Sequence, residues 1–383
     1  MVVVGEASGD HHASKVVQAF NQTHPGWSFW GIGGDRLEKA GMELVAHCKE
    51  LSVVGIKEVV LDLPRIWRLF KSLLRLMDER QPDALLLVDA PDFNLRLARE
   101  AKKRNIPVYY YIAPQVWAWR EGRISLMKEV IDRLYVIFPF EKEYFRERGI
   151  QAIFCGHPVL DEPWVEDHVE AREYREKLDV HGDYEYWVSL MPGSRKSEWK
   201  NNLSVMVESA RALEKKIDRE LCFILPVAHH LDEDFVSRSL KALTLPKNLH
   251  VVSGRSIDCM KAADFGWVAS GTATLEAALA ELPMAVVYRV ARFTAFLFKN
   301  FARYQGSIGM VNLVSGIPVV PELIQEEACP ERLCQVAEAY LKDPKLLRDT
   351  KLALKEVKSK LGEPGSSIRV AEDLWQQIGE SKL

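Results

Sequence analysis

Leu85-Leu86-Leu87-Val88 is apolar without interruption and gives way at once to Asp89-Ala90-Pro91-Asp92-Phe93-Asn94. A strand with no polar alternation must be covered on both faces, as a central strand of a parallel sheet is. Two carboxylates, Asp89 and Asp92, therefore arrive at the carboxyl edge of a sheet, where open α/β folds bind their ligands. A carboxylate there serves as a general base, a metal ligand or a helix N-cap. The stretch by itself does not choose among them.

The alternation of apolar runs with helical periodicity continues along the chain. Strand-like runs fall at residues 2–4, 29–32, 84–88, 108–112, 134–138 and 153–155. A second set falls at 187–190, 221–225, 250–252, 265–269 and 284–288, with amphipathic stretches such as 95–103 and 206–216 between the runs. This pattern predicts an α/β protein with parallel sheets covered by helices, and it occurs twice. A chain of 383 residues suits two domains. The break falls at Gly156-His157-Pro158, ahead of a charged stretch at 161–183, which predicts domains at 1–160 and 161–364. The tail from 344 onward is helical in pattern, interrupted at Gly362-Glu363-Pro364-Gly365-Ser366.

Composition excludes several functions. With a formal net charge of −3 there is no global field for nucleic acid, so an anionic partner must meet a local basic patch. The six cysteines form no CxxC pair and no zinc-type spacing, which predicts a reduced, cytosolic protein. The first apolar run, Val2-Val3-Val4, stops at Gly5-Glu6, too short for a signal peptide. No apolar segment approaches the ~20 residues of a membrane span, so a membrane would be met at its surface. Asp232-Glu233-Asp234 has a D-x-D spacing but lies in a charged stretch, where capping or solvation explains it. His11-His12 and His229-His230 are adjacent pairs that do not share a helical face. No metal site is expected.

Three strand-to-helix turns carry small residues. Gly5-Glu6-Ala7-Ser8-Gly9-Asp10 is neither a GxGxxG nor a GxxxxGK[ST] motif. It either brings backbone N–H groups to a ligand or forms a tight turn capped by Asp10. Pro192-Gly193-Ser194-Arg195 offers a hydroxyl, exposed amides and a permanent cation to a diphosphate, or is a capped turn with a surface arginine. In Ser270-Gly271-Thr272-Ala273-Thr274-Leu275-Glu276, small residues permit a phosphate to approach, and Glu276, about one turn into the helix, suits a ribose diol. Thr272 and Glu276 are one residue too far apart for a capping box.

Aromatic residues gather in two kinds of place. Residues 109–120 hold Tyr109, Tyr110, Tyr111, Trp117 and Trp119 beside Arg120, and either line a sugar or anion site or belong to the core. Residues 64–80 and 288–304 are basic amphipathic stretches. Such a stripe normally packs on its own domain, yet basic flanks and an excess of aromatics also fit a helix lying on anionic lipid.

Taken in order, Gly5–Asp10, Val54-Gly55-Ile56, Asp89–Asn94 and Pro114-Gln115-Val116-Trp117-Ala118-Trp119-Arg120 are followed by Phe138-Pro139-Phe140-Glu141 and Gly156-His157-Pro158. Pro192–Arg195, Ser270-Gly271-Thr272 and Asn312-Leu313 complete the set. Each motif is short, but the ordered set spans nearly the whole chain and resembles the lipid-A-disaccharide synthase family. The resemblance implies a GT-B architecture, two Rossmann-like domains with parallel sheets facing a cleft, and an inverting glycosyltransferase. It implies transfer of 2,3-diacylglucosamine from UDP-2,3-diacylglucosamine to the 6-hydroxyl of 2,3-diacylglucosamine 1-phosphate (lipid X). The products are the β(1→6) disaccharide 1-phosphate and UDP. The implied location is the cytoplasmic face of the inner membrane of a Gram-negative bacterium, with the protein bound peripherally. No cofactor, metal or nucleic acid is implied.

The matching positions imply Asp89 as the base, with Arg195, Ser270, Gly271, Thr272 and Glu276 on the UDP side and Asn312 in the cleft. Ser8, Gly9, Asp10 and Ser194 join them as expected substrate contacts. Because both substrates carry acyl chains, Trp67, Phe70, Leu73 and Leu74 in the first greasy stretch are expected to face acyl chains or membrane. Phe293, Phe296, Leu297, Phe298 and Phe301 are expected to do so in the second. Family analogy also sends the tail helix, 365–383, back onto the first domain. Inversion requires the acceptor oxygen to attack opposite the leaving UDP, so one base must take its proton. Arg195 and helix N-termini can meet the charge on UDP without a metal. Asp92 is the weaker candidate base, since it could cap the following helix.

The chain departs from the family pattern at Met191, where leucine is usual, at Ala113, where serine is common, and at His11-His12, where apolar residues are expected. Its start is several residues short of the usual one, so the native protein is expected to begin earlier. The rival enzymatic reading is a UDP-sugar 2-epimerase, which would need neither a membrane face nor an acyl site. The rival from another class is a non-catalytic UDP-sugar-binding protein of the membrane surface, which would leave Asp89 unexplained.

Overall fold

The computed structural model describes residues 1–51, 56–117, 121–167, 169–290 and 306–379, with side chains of the helix Ile56–Arg80 from Leu63 onward. The chain divides into two compact units, Met1–Asp161 with Leu361–Leu383, and Glu162–Lys360.

Among the described residues the first unit has seven strands: β1 (Val2–Val4), β2 (Trp30–Gly33), β3 (Glu43–His47), β4 (Leu85–Val88), β5 (Val108–Tyr111), β6 (Arg133–Val136) and β7 (Ala152–Phe154). They form one parallel sheet in the order β3-β2-β1-β4-β5-β6-β7. The second unit has β8 (Tyr186–Met191), β9 (Leu221–Val227), β10 (Leu249–Ser253), β11 (Phe265–Ala269), β12 (Met284–Tyr288) and β13 (Glu322–Ile324). Its parallel order is β10-β9-β8-β11-β12-β13. Every residue of β1, β4, β5 and β11 is buried, as their unbroken apolar character requires. The short strands β3 and β13 escape the sequence pattern because they lie at sheet edges, where Glu43 and Glu322 need no apolar cover.

In both sheets the strand order reverses once, between β1 and β4 and between β8 and β11. Val4 pairs with Val88 at the first reversal, and Met191 with Val268 at the second. The helices that follow these strands leave in opposite directions, which opens a crevice at each carboxyl edge.

Tyr109, Tyr110 and Tyr111 are buried in β5, so this part of the aromatic stretch is core. Their hydroxyls still find partners: Tyr110 donates to the Asp89 carbonyl, and Tyr111 Oη lies 3.2 Å from Ser366 Oγ. In the helix Ile56–Arg80, Leu73 and Met77 are fully buried against the sheet, and Phe70 and Leu74 pack partly against the same core. Leu73 is therefore a core residue and not the membrane contact expected of it, because the helical period turns it inward. Trp67 faces outward at 58% exposure, stacked on Phe70 with Lys71 over its ring. Phe293, Phe296, Leu297, Phe298 and Phe301, like Trp119 and Arg120, lie outside the described residues. No helix among the described residues is long and apolar enough to cross a membrane.

The tail helix Ser366–Gly379 packs on the helix Ala7–Thr23 of its own unit. Trp375 stacks on His24 with ring centroids 3.9 Å apart. Asp373 accepts from Arg133 Nη2 at 2.7 Å and from Tyr135 Oη at 2.7 Å, so the tail is bound by charge as well as by apolar area.

Leu73→Ala should lower unfolding stability by about 2–5 kcal/mol, the cost of a cavity in a close-packed core. Trp67→Ala should change it by no more than about 0.5 kcal/mol, as at other exposed positions. Denaturant unfolding of the two variants checks the inward and outward assignments.

Candidate active site

The carboxyl end of β4 is held in an unusual backbone shape. Asp89 and Ala90 have φ of 56° and 40°, and Ile112 at the end of β5 has 61°, left-handed values that L-residues avoid. Hydrogen bonds hold the Asp89 conformation in place. Asn94 Nδ2 donates to Val88 O at 3.1 Å and to Asp89 O at 2.7 Å, and the Tyr110 hydroxyl donates to the same Asp89 carbonyl. Two glycines of the turn after β1 let this loop approach. A Cβ on Gly5 would fall 2.2 Å from Ala90 Cβ, and one on Gly9 would fall 2.3 Å from Asp89 Oδ2. The Gly5–Gly9 turn and the Asp89 carboxylate therefore form one packed cluster, at the strand-order reversal of the first sheet.

That packing strips water from the Asp89 carboxylate. Loss of hydration, with the nearby Glu6 charge adding to it, lifts the Asp89 carboxyl to about 7. A carboxylate poised there exchanges a proton readily near neutrality, as a general base must. Asp92 lies in the first turn of the helix Pro91–Lys102 and pairs with Arg123 on the surface. The N-cap position of that helix is held by Ala90 and not by Asp92.

Asp10 takes a different place from the one expected. Its buried carboxylate accepts from the backbone N–H of Gly34 at 2.6 Å, Arg36 at 3.1 Å and Leu37 at 3.2 Å. It thus caps the next helix, Asp35–Lys39, and not its own turn, and its oxygens are taken up there. Ser8 is exposed in the first turn of Ala7–Thr23. After β6, Glu141 is buried and accepts from Ile137 N, Phe138 N and Trp117 Nε1 at 3.1–3.3 Å. Burial lifts its carboxyl to about 7.

In the second unit the first three carbonyls of the turn after β8 are each bound by a side chain. Asn202 Nδ2 donates to Pro192 O at 3.0 Å, Trp199 Nε1 to Gly193 O at 2.8 Å, and His230 Nε2 to Ser194 O at 2.8 Å. Gly193 is left-handed with φ of 110°, and a Cβ there would strike Glu198. Arg195 begins the helix Lys196–Glu214 with its side chain largely in solvent, 3.8 Å from Glu198. A turn whose carbonyls are tied inward suits an anion better than a free loop does.

The turn after β11 enters the helix Thr272–Leu279 through Gly271, whose φ is 149°. Gly271 and Thr272 are exposed at the helix N-terminus. Ser270 does not present its hydroxyl proton to a ligand, because Oγ donates to Ile308 O at 3.0 Å. Burial raises the Glu276 carboxyl, with Glu162 adding to it. Asn312 is buried and saturated: Nδ2 donates to Val320 O and Glu322 Oε1, and Oδ1 accepts from Val319 N and Val320 N. It holds backbone in place and has no hydrogen-bonding capacity left for a substrate, contrary to expectation.

Sequence reasoning did not predict the contacts of Glu6, Asn94, Glu141 and Glu322. Glu141 carried a local signal, three residues after Phe138 in the spacing of a capping-box acid. Asn94 closes the Asp89 motif but its target is made by the loop. Glu322 carried none, since its partners at Ile308, Gly309 and Asn312 are remote in sequence.

Solved structures with this fold include a Listeria monocytogenes protein named as a putative UDP-N-acetylglucosamine 2-epimerase. It is 12% identical with a TM-score of 0.65, covering 99% of this chain and 96% of that one. A glycosyltransferase from Rickettsia africae is 15% identical with a TM-score of 0.57, covering 98% and 97%. At such identities the likeness establishes the fold alone. Sequence relatives carry more. The family model for Lipid-A-disaccharide synthetase matches residues 1–371. Lipid-A-disaccharide synthase from Syntrophus aciditrophicus is 41% identical over 373 residues, 97% of this chain and 95% of that protein. The enzyme of the same name from Myxococcus xanthus is 39% identical over 385 residues, covering 100% and 98%. With the family pattern running through both units and both strand-order reversals, this chain belongs to the lipid-A-disaccharide synthase family of glycosyltransferases.

Proposed function

We propose that this chain transfers 2,3-diacylglucosamine from UDP-2,3-diacylglucosamine to the 6-hydroxyl of lipid X, with inversion, at the cytoplasmic face of the inner membrane. The observation that carries the reading is Asp89, a carboxylate lifted to about 7 at the strand-order reversal of the first sheet. In the reaction the acceptor oxygen attacks the anomeric carbon opposite the diphosphate. The bond from that carbon to the diphosphate oxygen breaks, its electron pair leaves with UDP, and the hydroxyl proton passes to the Asp89 carboxylate. The negative charge arriving on UDP is met by Arg195 and by the helix N-termini at Lys196 and Thr272. Gly271 and Thr272 border the diphosphate, and Glu276 holds the ribose.

The exposed side of the helix Ile56–Arg80 supports a membrane-surface role. Leu63 and Trp67 stand 52% and 58% exposed, with Arg65, Arg68, Lys71 and Arg75 exposed around them. Apolar side chains ringed by cations suit an anionic bilayer surface. Phe70 links this stripe to the active-site loop through an edge-on contact with Phe93, one residue after Asp92.

Asp89→Ala should reduce turnover by about 10²–10⁴-fold while UDP still binds, since the variant lacks only the base. UDP release is measured with and without lipid X in detergent containing EDTA. Release that needs no acceptor would favour a hydrolase or epimerase, and full activity in Asp89→Ala would remove Asp89 from the mechanism.

Because the ionised form of Asp89 accepts the proton, kcat/KM should rise as pH climbs through about 7 and fall away below it. Glu6→Gln removes a neighbouring negative charge, so Asp89 ionises more easily and the acid limb moves to lower pH. A pH–rate profile of the two proteins reads the shift directly. Trp67→Ala should weaken sedimentation with anionic vesicles roughly tenfold, the equivalent of losing one partly buried aromatic. Unchanged vesicle binding would move the membrane face elsewhere.

A further inference from the structure

One carboxylate in the second unit clamps a whole loop and has no place in the reaction as described. Glu322 opens β13, the edge strand, and its side chain reaches back to the segment ahead of the helix Met310–Ser315. Oε2 accepts from Ile308 N at 2.8 Å. Oε1 accepts from Gly309 N at 3.0 Å and from Asn312 Nδ2 at 2.8 Å. Three donors converge on one anion, an arrangement that fixes geometry because each bond is charge-assisted. Residue 309 permits the approach: a Cβ there would lie 3.2 Å from Glu322 Oε1 and 3.0 Å from Val286 Cγ2.

The clamped segment is in turn bonded to both sides of the turn after β11. Ser270 Oγ donates to Ile308 O at 3.0 Å. Thr274 Oγ1 accepts from Met310 N at 3.1 Å and donates to Gly271 O at 2.8 Å. Glu322 therefore holds Ile308 and Gly309 from one side, while on the other Ile308 O and Met310 N bond Ser270 and Thr274, and Thr274 reaches on to Gly271 O. We infer that Glu322 is a positioning residue for the donor: through residues 308–310 it sets the Gly271-Thr272 helix entrance against the diphosphate of the nucleotide sugar. The inference rests on the reading that this turn receives the diphosphate.

Glu322→Gln keeps the size of the side chain but replaces one acceptor oxygen with an NH2 that faces a backbone N–H. It should raise the Kd for UDP and the KM for the UDP-sugar about tenfold, leaving the KM for lipid X unchanged. Glu322→Asp keeps the charge and should recover part of the loss. A merely structural role would raise both KM values together or lower the melting temperature with no preference for the donor, and either result overturns the inference.

Hydrogen exchange on the unmodified protein supplies a test that needs no variant to fold. Added UDP should slow exchange in residues 270–274 and 308–310 together. Protection of 270–274 with 308–310 unchanged overturns the role of Glu322 alone. Protection of neither 270–274 nor 192–195 overturns both this inference and the assignment of the nucleotide to these turns.

Discussion

Each of the two parallel sheets reverses its strand order once, and the candidate chemistry lies at those reversals. In the first unit the reversal between β1 and β4 sets Gly5–Gly9 beside Asp89. In the second, the reversal between β8 and β11 sets Pro192–Arg195 beside Ser270–Thr272. Where consecutive strands are also sheet neighbours, as from β4 to β5 and from β8 to β9, a helix such as Pro91–Lys102 or Lys196–Glu214 makes the crossover. At a reversal the two flanking connections part company, and backbone amides and strand-end side chains stay open to a ligand.

Occupying that opening requires unusual local structure, and the two units solve the problem differently. The first places two successive L-residues, Asp89 and Ala90, in left-handed backbone and fixes them through the Asp89 carbonyl, with Asn94 and Tyr110 as donors. Glycines 5 and 9 then allow the carboxylate to be packed tightly enough to lose its water, which moves its ionisation toward neutrality. The second unit uses glycines at the left-handed positions themselves, Gly193 and Gly271, and fixes its turns with remote side chains. His230, Trp199 and Asn202 serve one turn, and Glu322 with Asn312 serves the segment beside the other. One unit thus holds a carboxylate lifted toward neutrality and the other holds two glycine-shaped turns; the proposed transfer would use the first for a proton and the second for the diphosphate.

The greasy helix illustrates how one sequence stretch serves two ends. Its 3.6-residue period sends Leu73 and Met77 into the core while Leu63 and Trp67 remain outside among arginines and lysines. A residue list drawn from hydrophobicity alone cannot separate the two groups, because the stripe is wide enough to wrap from one face to the other. Its orientation is set by the sheet it packs on.

The sequence by itself determined the α/β class and nearly all the central strands, and it pointed to three small-residue turns and to Asp89 at a strand end. Those features are local: unbroken apolar runs demand burial on both faces, and glycines after a strand mark backbone that must turn sharply. Only the tertiary structure decided that Asp10 caps a neighbouring helix, that Asn312 is saturated by backbone, and that Ser270 binds a loop. It alone brought Glu6 to Asp89, and Glu322 to residues 308–312. These roles depend on which hydrogen-bond partners the fold delivers to a side chain. A polar residue looks the same in sequence whether its partner is a ligand or a remote stretch of its own backbone.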